Sequence, residues 1–164
     1  MSAGNHRADA DYDLRRMAAR HRLSKTRRFV NAVVTPLIRV GLAGRHVFLL
    51  TVEGRKTGQL YSTPVKLVVD GDRRWLVAPK GGRNWVKNAR AAGWVELSRA
   101  GKRERFCVTQ VDNTEAGPVL RNYLRHNPVT RTFFEANASD PVEAFIAEAP
   151  RHAVFRLSNQ DPRG

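Results

Sequence analysis

Asp70-Gly71-Asp72 separates two short β-rich runs, Thr63–Val69 and Trp75–Ala78. An Asp-Gly pair between such runs is a strong hairpin signal, because glycine takes the positive φ that tight hairpin turns need. Similar punctuation recurs on both sides. Val47–Val52 is a short apolar run that stops at Glu53-Gly54. Val95–Arg99 alternates apolar and polar residues, and Ala100-Gly101-Lys102 then turns the chain into Arg105–Val111. Pro79-Lys80-Gly81-Gly82 breaks a strand, and Asn84 has the form of an N-cap for a helix running to about Ala91. Ala153–Leu157 is a last strand that can close a ring. The pattern predicts a fold that is mainly β with flanking helices (α+β), built on a small antiparallel barrel.

Flanking helices are legible from apolar spacing. Pro118 suits a first helical turn ahead of the stripe Val119, Leu120, Tyr123 and Leu124, and Asn127-Pro128 ends that helix. Asp140-Pro141-Val142-Glu143 reads as a capping box with proline at the first helical position. Upstream, Thr26–Leu42 carries Phe29, Val33, Val34, Leu37 and Ile38 near helical spacing, with a bend expected at Pro36. These segments divide the chain into a basic, flexible arm over residues 1–23 and a single domain over 24–164 with an N-terminal helix. The 164 residues are enough for one real core.

The net charge is +14, and the first 45 residues hold ten Lys/Arg against three aspartates. Such a balance implies an anionic partner: nucleic acid, a membrane surface or a small polyanion. No run of about 18 apolar residues is present, and no signal-peptide pattern. The expectation is a cytoplasmic protein, with peripheral contact to the anionic inner face of the cell membrane as one use of the arm. The single cysteine, Cys107, excludes a disulfide framework within the chain. His6, His21, His46, His126 and His152 show no metal-ligand spacing, so no metal is expected.

Two loops carry the candidate chemistry. Gly54-Arg55-Lys56-Thr57-Gly58 joins two strands, and its glycines, amides and charged donors can meet an anion; a solvated basic turn has the same composition. Ala78-Pro79-Lys80-Gly81-Gly82-Arg83-Asn84 leads from a strand into a helix, whose first amides lack intrahelical partners. Trp85 and Asn88 share a face of that helix. Neither a Gly-x-Ser-x-Gly elbow nor a Ser/His/Asp set is present, which favours chemistry supplied by a bound cofactor.

Taken in order, Val52-Glu53-Gly54-Arg55-Lys56-Thr57-Gly58-Gln59, Thr63-Pro64-Val65, Asp70-Gly71-Asp72, Ala78-Pro79-Lys80-Gly81-Gly82, Asn84-Trp85 and Asn88 resemble the deazaflavin-dependent nitroreductase family of actinobacteria. The resemblance covers residues 26–111 well and the last 50 residues in outline. It implies a split β-barrel of the FMN-binding, flavin-reductase type and the cofactor coenzyme F420, a deazaflavin with a phosphodiester and an oligoglutamate tail. On the matching positions it implies that Arg55, Lys56 and Thr57 serve the phosphate region. Pro79, Lys80, Gly81 and Gly82 would border the ring and ribityl chain, and Trp85 and Asn88 would support that wall. The reaction implied is hydride transfer from reduced F420 to a small-molecule acceptor, a quinone, an enone or a nitro compound. Tyr123, Phe133 and Phe134 are the candidate residues facing that acceptor. Split barrels commonly dimerise, so a homodimer is among the expectations, and nucleic acid is not. The alternatives are an FMN-binding reductase on the same barrel, or a non-enzymatic binder of F420 or a fatty acid.

Overall fold

The computed structural model describes residues 37–38 and 44–159. The basic arm at residues 1–23 and most of the helix expected over Thr26–Leu42 lie outside the described residues. Leu37 and Ile38 are helical, and Ile38 is fully buried.

Six antiparallel strands form a closed barrel: β1 (Val47–Glu53), β2 (Leu60–Asp70), β3 (Arg73–Ala78), β4 (Trp94–Arg99), β5 (Lys102–Gln110) and β6 (Ala153–Asn159). Their order around the ring is β1-β2-β3-β6-β5-β4. Local turns set the hairpins. Gly71, at φ +56°, lets β2 fold back on β3 with Asp70 opposite Arg73. The run Ala153–Leu157 does close the ring: β6 enters between β3 and β5, placing Phe155 opposite Leu76 and Leu157 opposite Val108.

Strand alternation then creates two cores. Leu76, Ala78, Ala153, Phe155 and Leu157 point into the barrel with Leu50, Val52, Val95 and Phe106. Trp75, Val77 and Val154, one residue out of phase, point outward against helices. This is why β3 reads as a continuous apolar run: both of its faces are covered.

Helix α1 (Asn84–Ala92) plugs one end of the barrel, with Val86 and Ala89 fully buried in the inner core. Its N-cap is Arg83, one residue before the expected Asn84, and it stops at Gly93 with φ +72°. Helix α2 (Asn113–His126) begins earlier than Pro118 implies. Asp112 accepts a hydrogen bond from the Glu115 amide at 2.8 Å and fixes the start, so Pro118 lies inside the helix. The position tolerates proline because Pro118 and Thr114, whose carbonyl loses its donor, are both exposed to water. The first turn is also fastened to the barrel: Glu115 accepts from Trp75 Nε1 and from Arg156 Nη1, each at 2.9 Å.

A 3-10 helix (Pro128–Phe133) follows, then α3 (Val142–Glu148). The expected capping box does not form. Pro141 occupies the cap without a side-chain bond, and Asp140 instead accepts from the Asn137 amide at 2.8 Å, a local turn that draws the carboxylate away. Helices α2 and α3 cross closely at Gly117, where a Cβ would run into Ile146.

Candidate functional site

A cleft of about 830 Å³ runs between the β1–β2 loop, β2 and the start of α1. Its far end is made by Tyr123 of α2 and by Thr130 and Phe133 of the 3-10 helix. Arg55, Lys56, Lys66 and Arg83 supply cationic lining, and among the described residues no carboxylate lines it. Pro64, Val65, Val77, Pro79 and Trp85 supply apolar wall.

The Gly54–Gly58 loop is tightly self-bonded. Thr57 N and Gly58 N both donate to the Gly54 carbonyl, at 3.1 and 2.8 Å. Arg55 N donates to Asn88 Oδ1 at 3.3 Å. Gly54 N donates to the Gln59 carbonyl at 2.8 Å, so four of the loop's five amides are engaged, and an anion here would meet the side chains of Arg55, Lys56 and Thr57 in place of an amide cradle. Free amides are found instead at the start of α1. The first bond of that helix runs from Lys87 N to Arg83 O, which leaves the amides of Asn84, Trp85 and Val86 without intrahelical partners. A nine-residue helix with this end facing a cleft favours negative charge there.

Asn88, only 6% exposed, has a definite task. Its Oδ1 accepts from Arg55 Nη1 at 2.8 Å as well as from the Arg55 amide, and so pins the loop and its guanidinium to α1. Trp85 packs one way against Phe155 in the barrel core, centroids 6.1 Å apart, and also borders the cleft. Gly54 is buried, and a Cβ there would strike the Tyr61 ring and approach Thr57 Oγ1 to 2.7 Å. Thr57 and Tyr61 share a hydrogen bond at 3.1 Å.

At the far end Tyr123 is 8% exposed, and burial pushes its phenol above the ordinary value while the Arg83 guanidinium pulls it down. The phenol stays protonated at neutral pH. Lys66 Nζ donates to the His126 carbonyl at 3.0 Å, which ties β2 to the end of α2.

Of the residues singled out from sequence, Arg55, Lys56, Thr57, Pro79, Trp85, Asn88, Tyr123 and Phe133 come together in this cleft. Lys80, Gly81, Gly82 and Phe134 are not among its lining residues. Gly81 faces the chain behind the cleft, where a Cβ would stand 3.0 Å from the Arg151 carbonyl oxygen. Phe134 is buried and stacked on His152, because the extended residue after the 3-10 helix turns its side chain inward. Sequence reasoning missed Tyr61, Lys66 and Thr130, and gave Arg83 no role of its own within its loop. For β2 the available signal was an exposed apolar pair, Leu60-Tyr61, directly after the basic loop.

The family model described as F420H(2)-dependent quinone reductase matches residues 18–145. No curated protein matches the chain. Among solved structures, an F420-H2 dependent reductase is 19% identical over 70% of this chain and 95% of its own, with a TM-score of 0.49. A structure described as a domain-swapped dimer is 17% identical over 79% of this chain and 97% of its own, with a TM-score of 0.52. A protein of Agrobacterium tumefaciens is 15% identical over 78% of this chain and 54% of its own, with a TM-score of 0.51. The fold is mostly β, a closed six-stranded antiparallel barrel with a few helices. With the family model spanning most of the chain, the protein belongs to the F420H2-dependent quinone reductase family and is an oxidoreductase that uses reduced coenzyme F420.

Proposed function

We propose that the cleft holds F420 with its phosphate at Arg55, Lys56 and Thr57 and its ring against Pro79 and Trp85, and that a quinone or similarly activated enone is reduced at the Tyr123–Phe133 end. The observation that carries this reading is electrostatic. Four cationic side chains and a helix N-terminus line one cleft, with no carboxylate among the lining residues described. A polyanionic cofactor fits such a lining, and an apolar wall beside it fits a fused ring. Asn88 fits as the support of Arg55, and Lys80-Gly81-Gly82 as the turn that seats Pro79.

When bound, reduced F420 supplies a hydride from C5 of its ring. The protein's part is to place and shield. Arg55 is oriented before any ligand arrives, since Asn88 already holds its guanidinium. Trp85 and Pro79 keep water from one side of the ring. Tyr123 keeps its proton on Oη and offers it as a hydrogen bond to an acceptor oxygen. Lys66 lines the same cleft and adds to its positive charge.

The acceptor reaches the cleft past apolar surface. Leu60 is 65% exposed and Val129 87%, while Tyr61 and Phe133 are exposed at the cleft itself. Apolar side chains beside a basic cleft support reduction of a lipid-phase quinone by a protein resting on an anionic bilayer. Among the described residues no helix is long and apolar enough to cross a membrane. A homodimer is part of the reading, supported by the domain-swapped neighbour, and sedimentation equilibrium tests it.

Fluorescence titration with F420 and FMN, followed by F420H2 oxidation over a panel of quinones, enones and nitro compounds, tests the whole. The expected result is F420 binding much tighter than FMN, and turnover led by quinones. FMN binding as tight as F420 overturns the cofactor placement. Failure to sediment with anionic vesicles at low salt removes the membrane part alone.

A further inference from the structure

Behind the cleft lies a polar pair with no part in the chemistry above. The side chains of Glu148, at the end of α3, and His152, just before β6, are 4% and 1% exposed, with Nε2 and Oε2 3.6 Å apart. His152 Nδ1 stands 2.7 Å from the Pro79 carbonyl oxygen. A carbonyl only accepts, so Nδ1 is the donor and Nε2 is the nitrogen turned to Glu148. Phe134 stacks on the imidazole at 4.5 Å and 20°. Glu148 Oε2 in turn accepts from the Glu135 amide at 2.9 Å. The charged groups beside the pair, Glu135 and Arg151, are engaged with each other at the surface.

Both walls of the cleft thus end on one imidazole. Pro79 belongs to the wall at the end of β3. Phe134 and Glu135 continue directly from the 3-10 helix that carries Thr130 and Phe133 on the opposite wall. Glu148 Oε1 and His152 Nε2 are buried without a hydrogen-bond partner. A buried pair of this kind returns about what its desolvation costs, and apolar residues of the same shape are often more stable. Stability is a poor reason for such a pair, and the wall-to-wall connection is a better one.

We propose that His152 and Glu148 are positioning residues that fix the cofactor wall and the acceptor wall of the cleft relative to each other. The proposal rests on the cleft assignment above. His152 works on Pro79 through Nδ1, and Glu148 works on the Phe133–Glu135 segment through Oε2. The two effects are therefore separable by substitution.

In the full chain, His152→Ala releases the Pro79 carbonyl and weakens F420 binding about tenfold, the worth of one buried hydrogen bond. His152→Asn puts an amide nitrogen near the place of Nδ1 and returns affinity to within about threefold of the parent. Glu148→Leu frees the Glu135 amide and raises the KM for a quinone about tenfold, with F420 affinity and kcat near the parent values. Glu148→Gln keeps an acceptor for that amide and behaves as the parent. A readout without cofactor runs alongside: trypsin cleavage after Lys80 and Arg83, read by mass spectrometry, quickens in His152→Ala and not in His152→Asn. Equal losses in the alanine and asparagine variants, in step with their melting temperatures, would reduce the pair to a stability role and overturn the proposal. Unchanged affinity and unchanged cleavage in His152→Ala overturn it as well. A parent chain that does not bind F420, yet shows the expected cleavage pattern, refutes the cofactor placement and upholds the positioning of the loop.

Discussion

Replacing Asn88 by alanine separates holding a ligand from holding the residue that holds it. Asn88 Oδ1 makes one short bond to the Arg55 guanidinium, 2.8 Å, and one long bond to its amide, 3.3 Å. A hydrogen bond to a charged group is worth about 1.5–3 kcal/mol, and Arg55 is exposed enough for water to replace part of it. The loss of folding stability is then about 1–2 kcal/mol, measurable by urea unfolding. The effect on F420 has a different origin. With Asn88 gone the Arg55 side chain is ordered only on binding, at a cost of about 0.5–1.5 kcal/mol, which is roughly a two- to tenfold weaker dissociation constant. A double-mutant cycle with Arg55→Ala decides the matter by fluorescence titration. If Asn88 acts mainly through the Arg55 guanidinium, its removal costs much less in affinity once Arg55 is absent, when only the long bond to the residue-55 amide is left to lose. An equal loss with and without Arg55 would refute the reasoning and place Asn88 against the ligand.

Lys56→Ala should leave the melting temperature unchanged while weakening F420 binding about tenfold and lowering its salt sensitivity; an unchanged affinity and salt slope would make the loop a solvated turn. Gly54→Ala drives a methyl group into Tyr61 and Thr57, so the loop must reshape; circular dichroism should show an intact barrel and titration a weakened cofactor site, and normal affinity would show that the loop conformation is immaterial. The Tyr123 phenol holds its proton more tightly folded than unfolded, so the unfolded chain ionises first as pH rises past 10 and stability falls there. Tyr123→Phe should flatten that alkaline decline in a series of unfolding curves, and a decline of the same slope would assign it to other groups.

The barrel was legible because its signals are local. Asp70-Gly71-Asp72 and Ala100-Gly101-Lys102 fix turns by backbone conformation, and the alternation in Val95–Arg99 fixes which side chains face inward. Helix starts were less legible, since they depend on which of several side chains wins a bond. Asp112 captures the Glu115 amide and moves a helix start ahead of Pro118, while Asp140 is drawn to Asn137 and leaves its helix uncapped. The site divided along the same line. Arg55, Lys56 and Thr57 lie within one loop and Trp85 and Asn88 on one helix face, which spacing shows; that the loop and the helix share a site is what the family resemblance implied. Lys66 and Thr130 meet only through the packing of α2 and the 3-10 helix on β2, which no short window of sequence records. Gly81 illustrates the limit: its close neighbour is Arg151, seventy residues away in the chain, and not the cleft.

The insertion of β6 between β3 and β5 has a consequence for synthesis. Until residues 153–159 emerge, β3 and β5 each present an unpaired row of amides and carbonyls, open templates for pairing with other nascent chains. The barrel is therefore a late-closing one, and the segment that closes it follows directly on His152, whose imidazole seats Pro79. A chain interrupted before this point lacks both the last stave and the catch behind the cleft. Any ligand that recognises the seated loop binds finished molecules and passes over those still waiting for their last strand, drawing the population toward closure.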